Sequence, residues 1–187
     1  MAKKPIKTAA AVGGPRKLTL SVLRHAKAER GDQDMRDIDR VLTGRGERNV
    51  EAMAGWMAQA GLAPNRILCS TSARTRQTLE LAVPRLAGAP AVEFLPELYL
   101  AGPLVLLKHL HTIKKKDAHV LMIGHNPGLH ALALDLIAEG PQIRIAALGR
   151  KLPTCGLVVI GFDVKDWTEV VAGTGTLVSF TTPADLE

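Results

Sequence analysis

The 187-residue sequence predicts an α/β fold on a largely parallel sheet. Along most of the chain, short apolar runs alternate with longer stretches of helical apolar spacing, the pattern of strands joined by crossover helices. Near the C-terminal end the helical stretches stop and strand-like runs follow one another, which predicts an antiparallel edge. Aromatic residues make up only 3% of a chain that is 47% hydrophobic, so the core must be aliphatic.

Residues 18–23 (LTLSVL) are apolar and bounded by charge, and read as a buried strand. Residues 26–41 are polar and acid-rich, and read as a loop. Thr43 is a helix N-cap candidate, and Thr43 and Gly44 open a helical pattern. Val50, Met53, Ala54 and Met57 then form one apolar stripe, and Gly61 and Pro64 end it. Residues 66–70 (RILCS) are a second strand, followed by a helix with Leu79, Ala82, Val83 and Leu86 on one face. Residues 92–95 are a short strand. Residues 103–113 are helical, and Lys114, Lys115 and Lys116 suit that helix's C-terminal end. Residues 119–123 (HVLMI) form another buried strand, 124–128 a turn and 129–137 a helix. Residues 157–162, 169–172 and 176–180 read as strands separated by turns. No internal repeat and no second domain is visible.

The formal net charge of +6 is unevenly placed. Lys3, Lys4, Lys7, Arg16 and Lys17 lie in the first 17 residues, which contain no acid, and the rest of the chain is close to neutral. Residues 1–17 are therefore expected to be a disordered basic tail and 18–187 the folded domain. Nucleic-acid binding would need a basic face on the fold itself or aromatic stacking platforms, and neither is expected. Cys69 and Cys155 are separated, with no CxxC, and are expected to be two buried thiols rather than a disulfide or zinc ligands. His109, His111, His119 and His130 lack metal-ligand spacing, so no metal and no cofactor is expected. No stretch approaches the ~20 apolar residues of a membrane span, and no signal-like apolar run follows the N-terminal lysines. A cytoplasmic protein without a membrane partner is expected, its oligomeric state open.

Three predicted strands end in turns of one kind: Arg24-His25, Ser70 to Arg74, and Gly124-His125-Asn126-Pro127. In α/β sheets ligands collect beyond the carboxyl ends of strands. Parallel neighbours would bring Arg24, His25, Arg74 and His125 to one place. Two guanidinium forks and two imidazoles suit a phosphoryl group, and helices starting after Arg74 and Pro127 would add positive potential. A histidine can attack phosphorus if one ring nitrogen is free and the other is fixed. His25, tight against its strand end, is placed for that, and His125 for holding the transferring oxygens. Asn126 either supports its loop or touches substrate. Asp34, Asp37 and Asp39 read as solvated loop residues ahead of an acid or a partner for Arg24.

"LRHAKAE" (23–29), "LTGRGERN" (42–49), "STSARTRQT" (70–78), "LPELY" (95–99) and "GHNPGL" (124–129) resemble, in order, the histidine phosphatase superfamily. That is the phosphoglycerate-mutase-like group, and the wording is similar to its SixA-type phosphohistidine phosphatase branch. The resemblance covers roughly residues 18–181. It implies a three-layer α/β/α sandwich and a metal-independent phosphohydrolase acting through a covalent phosphohistidine. It implies the phosphoryl acceptor role for His25, phosphate clamping by Arg24 and Arg74, and a pocket role for His125. Glu97 falls where larger members carry a proton donor. Ala26 stands where many relatives have glycine and Thr71 where many have proline, and neither change removes a catalytic group. A chain this short has little room for a lid, so an open site that could admit a phosphohistidine-bearing protein is expected. The alternatives are a phosphatase of small phosphate monoesters, or a phospho-ligand binding module without turnover.

Overall fold

Alternation of buried apolar side chains sets the central strands, and the two faces they create are both covered. The computed structural model describes residues 18–31 and 33–187, so the expected basic tail lies outside the described residues. The strands are β1 (Leu18–Arg24), β2 (Arg66–Ser70), β3 (Ala91–Leu95), β4 (His119–Gly124), β5 (Ile137–Glu139), β6 (Leu157–Phe162) and β7 (Gly175–Thr181). The helices are α1 (Gly44–Gln59), α2 (Ala73–Ala82), α3 (Pro103–Leu110), α4 (Gly128–Leu136) and α5 (Gln142–Arg150). They build a three-layer α/β/α sandwich. In β1 and β4, Leu20, Val22, Val120 and Met122 pack in one cluster with Leu106, Leu129, Leu132 and Leu148 of α3, α4 and α5. Leu23, Leu121 and Ile123 join Val50, Met53, Met57, Leu79 and Ala82 of α1 and α2 in the other.

The sheet order is β3-β2-β4-β1-β6-β7-β5. β3, β2, β4 and β1 run parallel, and β6 pairs antiparallel with both β1 and β7. The mostly parallel sheet with an antiparallel component is thus the observed one. Register matters most between β1 and β4, where Arg24 lies opposite Gly124, and the His25 amide continues the ladder to the Gly124 carbonyl at 3.1 Å. Thr43 caps α1 as expected, its hydroxyl accepting from the Gly46 amide at 3.0 Å.

Two C-terminal readings are corrected. Residues 169–172 are no strand: Asp166 accepts from the Thr168 amide, starting a 3-10 turn (Trp167–Glu169) that buries Trp167, and Gly173 turns the chain with φ of 72°. Ile137 leaves the predicted helix and enters β5, where its partner is Gly175 of β7. The sequence reading also missed α5, which buries only Leu148 and leaves Ile143 exposed, so its amphipathic signal is weak. Cys69 and Cys155 are buried free thiols.

Gly128 opens α4 where the backbone of Ala101 passes. A Cβ on Gly128 would lie 1.8 Å from the Ala101 carbonyl oxygen, a contact that no side-chain rotation relieves. Gly128→Ala is therefore expected to destabilise the fold by roughly 2 kcal/mol or more, the scale of overpacking. Gly55→Ala, in α1 with open space around it, is expected to stabilise by up to about 1 kcal/mol through helix propensity. Urea unfolding of both variants checks the contrast, and an unchanged midpoint for Gly128→Ala would contradict the close approach.

Candidate active site

The parallel strands β1, β2 and β4 end on the same sheet edge, and their turns form a cleft of about 340 Å³. Arg24, His25, Arg74, His125 and Asn126 all line it. The two imidazole centroids are 5.2 Å apart.

His25 is buried and its orientation is fixed locally. Nδ1 lies 2.8 Å from the Ala26 carbonyl oxygen, which can only accept, so Nδ1 carries the proton and Nε2 keeps its lone pair. The Ala26 amide donates to the Thr78 hydroxyl, which donates in turn to the Arg74 carbonyl, tying the turn after β1 to α2. Burial is the largest influence on His25 and pushes its pKa down to about 4. The bond to Ala26 opposes this, and the Arg74, Arg24 and Arg40 charges push it further down.

His125 Nε2 lies 2.9 Å from Ser70 Oγ, and Nδ1 lies 3.4 Å from an Arg74 Nη2. A guanidinium only donates, so Nδ1 accepts there and Nε2–H donates to Ser70. Burial first, then His25 and Arg74, lower His125 to about 3. Arg24 donates to the Leu152 carbonyl at 3.0 Å, and Asn126 Nδ2 donates to the same oxygen at 3.0 Å. Arg24 Nε and Asn126 Oδ1 are buried without hydrogen-bond partners. Burial and the charge of Arg74 lower the Arg24 pKa from its usual value.

Asp37 departs from the solvated-loop reading. It faces Arg74 rather than Arg24: its Oδ2 accepts from Arg74 at 2.8 Å and from the Tyr99 hydroxyl at 2.5 Å, and its Oδ1 accepts from Arg40 at 2.7 Å. These bonds, Tyr99's foremost, hold its carboxyl well below the usual carboxylate range. Tyr99 also stands edge-on to His125, with centroids 5.3 Å apart. Sequence reasoning assigned no site role to Arg40, Tyr99, Lys27 or Thr154. Two signals were available: the acid–base spacing of Asp37 and Arg40 in a short turn, and Tyr99 as the single tyrosine of the chain.

Glu97 is not brought to the cleft. The 3-10 turn (Pro96–Leu98) buries Leu98 and delivers Tyr99 to Asp37, which leaves Glu97 exposed to solvent. Three of the other histidines have structural bonds: His119 meets Ser21 Oγ, His111 the Val170 carbonyl, and His130 the Leu148 carbonyl. A cleft with two buried neutral imidazoles, three guanidinium groups and one carboxylate, already bonded, can bind a dianion and offer it a nitrogen nucleophile.

The histidine phosphatase superfamily (branch 1) profile matches residues 20–99. An uncharacterised Mycobacterium tuberculosis protein is 32% identical over 163 residues, covering 86% of this chain and 99% of its own length. Among solved structures, a Nakamurella multipartitia protein assigned as the phosphohistidine phosphatase SixA superposes with a TM-score of 0.77 at 27% identity, over 89% of this chain and 96% of that one. A protein histidine phosphatase SixA complexed with tungstate superposes with a TM-score of 0.72 at 25% identity, over 91% and 100%. The chain belongs to the histidine phosphatase superfamily and is a phosphatase. Within that class its fold and sequence group it with the SixA-type branch. Among the described residues no helix is long and apolar enough to cross a membrane.

The depressed histidines set a pH signature. A histidine whose folded pKa lies below its unfolded value binds fewer protons folded than unfolded. For His25, His119 and His125 this contribution is intact above about pH 6.5 and is lost progressively as pH falls towards the folded values of about 4, 4 and 3. Unfolding free energy measured by urea titration is expected to decline over that window. Imidazole nitrogen shifts should report His25 and His125 still neutral at about pH 5, where an ordinary histidine is mostly charged. A midpoint near 6.5 for either would contradict the burial described.

Proposed function

We propose that the protein hydrolyses phosphohistidine on a protein substrate through a phosphorylated His25. One observation carries the proposal: His25 is held through Nδ1–H on the Ala26 carbonyl, leaving Nε2 as a free lone pair in an arginine-lined cleft. The Nε2 lone pair attacks phosphorus, and the P–N bond to the substrate imidazole breaks. That ring, already protonated, leaves neutral. Water then attacks the phospho-His25 phosphorus, phosphate departs, and the electron pair returns to Nε2. Arg24, Arg74 and His125 stabilise the equatorial oxygens through both steps. A phosphoryl dianion beside His125 favours a proton at Nδ1, which turns that ring into a donor. Asn126 has one Nδ2–H left for the phosphoryl group after the bond to Leu152.

The cleft's acids favour this substrate over a phosphate ester. An alkyl ester leaves as an alkoxide unless a general acid protonates it. Asp37, the carboxylate lining the cleft, is ionised and engaged by three side-chain donors. Glu97 is exposed and away from that lining. A phosphoramidate needs no such acid once its ring carries a proton. The match to SixA-type proteins supports the same substrate class.

Phosphate release from a phosphohistidine-bearing protein and from an aryl phosphate, with EDTA present, tests the proposal. His25→Ala is expected to abolish both, and wild type to be faster on phosphohistidine. Arg74→Lys loses the planar fork and is expected to cost on the order of 100-fold in kcat, the scale of removing one transition-state donor. Glu97→Gln is expected to leave both substrates within about twofold, since loss of a general acid costs 100-fold or more. Faster release from the aryl ester would transfer the assignment to small esters. No release from either substrate, with phosphorylated ligand still bound, would make this a binding module.

A further inference from the structure

The cleft continues past Lys27 and Thr154. Both residues also line an adjoining groove of about 270 Å³, bordered by Arg45 and Asn49 of α1 and by the Thr182 segment after β7. The charged side chains lining this groove are Lys27 and Arg45, both cations, in a folded body that is close to neutral.

Backbone contacts hold the two cations on one rim. The Lys27 carbonyl accepts from the Thr43 amide at 2.9 Å and from the Thr43 hydroxyl at 3.2 Å. Gly46 lies so near that a Cβ there would stand 2.2 Å from the same carbonyl oxygen. The first turn of α1, which carries Arg45, therefore rests directly on the segment leaving His25. Arg45 pairs with Glu187 at 4.0 Å, both side chains being mostly exposed at 72% and 66%. Such a pair contributes little and is readily exchanged for another anion.

We propose that this groove binds an acidic segment of the protein substrate beside the phosphorylated residue, an inference that rests on the protein-phosphohistidine reading above. A phosphoryl group held by Arg24, Arg74 and His125 occupies only part of the cleft and leaves the groove untouched. A polypeptide extending past Lys27 and Thr154 enters it. There, carboxylates meet Lys27 and Arg45, with Asn49 and Thr154 offering hydrogen bonds. The groove then supplies selectivity among phosphoproteins that the phosphate cleft cannot.

Paired phosphohistidine peptides, flanked by aspartates or by serines, test this beside p-nitrophenyl phosphate. Wild type is expected to favour the aspartate flanks by about tenfold in kcat/KM, chiefly through KM, and less so at high salt. Arg45→Glu is expected to erase the preference while p-nitrophenyl phosphate kinetics stay within about twofold, and Arg45→Lys to keep most of it. Equal rates on both flanks in wild type, or a preference that survives Arg45→Glu, would overturn the groove's role. The same pair built on phosphotyrosine separates the two proposals: cleavage of that pair alone would sink the phosphohistidine reading and still measure flank preference. Where neither pair turns over, Kd values of the peptides for His25→Ala give the flank preference directly.

Discussion

The parallel pairing of β1 with β4, with Arg24 opposite Gly124, is the constraint on which the site depends. It ends two buried strands at the same height, so that the next residue of each, His25 and His125, enters the cleft. A shift of one residue would send the alternating side chains of β1 to the wrong faces, moving Leu20 and Val22 out of one core cluster and Leu23 out of the other. The hydrophobic effect that stabilises the sandwich therefore also enforces the register that places the chemistry. The flanking contacts follow from it. Cys155 donates its amide to the carbonyls of Arg24 and His25, and Thr78 holds the Ala26 amide from α2.

Within that frame the cleft concentrates positive charge at a cost. Arg74 is almost wholly buried, and its counter-charge comes from Asp37 on a loop that is otherwise exposed. Tyr99 and Arg40 converge on the same carboxylate. One acidic side chain thus bridges two guanidinium groups and offsets the repulsion between them. Burial first, and the arginine charges after it, keep both imidazoles neutral. Positive potential and uncharged imidazoles thus share one cleft.

Much of this was legible from residue patterns. Short, almost continuously buried apolar runs made β1, β2, β4 and β6 visible, and the polar turns after β1, β2 and β4 pointed to His25, Arg74 and His125. The weaker elements were not legible for identifiable reasons. α5 buries a single leucine, so its sequence carries little helical stripe. β5 exists only because β7 runs alongside it. The residues 169–172 look β-like in isolation, but Trp167 is drawn into the core and the chain turns there instead.

The sequence by itself determined the class of fold, the aliphatic core and the strand ends that carry the arginines and histidines, because those are properties of local periodicity and residue type. Tertiary structure decided which carboxylate reaches the cleft. Asp37 stands among charged neighbours (Arg36, Asp39, Arg40) and Glu97 among apolar ones (Leu95, Leu98, Leu100), and neither setting says which of the two reaches the cleft. A loop closing over α2 brings the first onto Arg74, while the turn that buries Leu98 leaves the second in water. Which side chain meets a charge across 37 residues of chain is settled by packing of α2 against the sheet, not by the residues beside it.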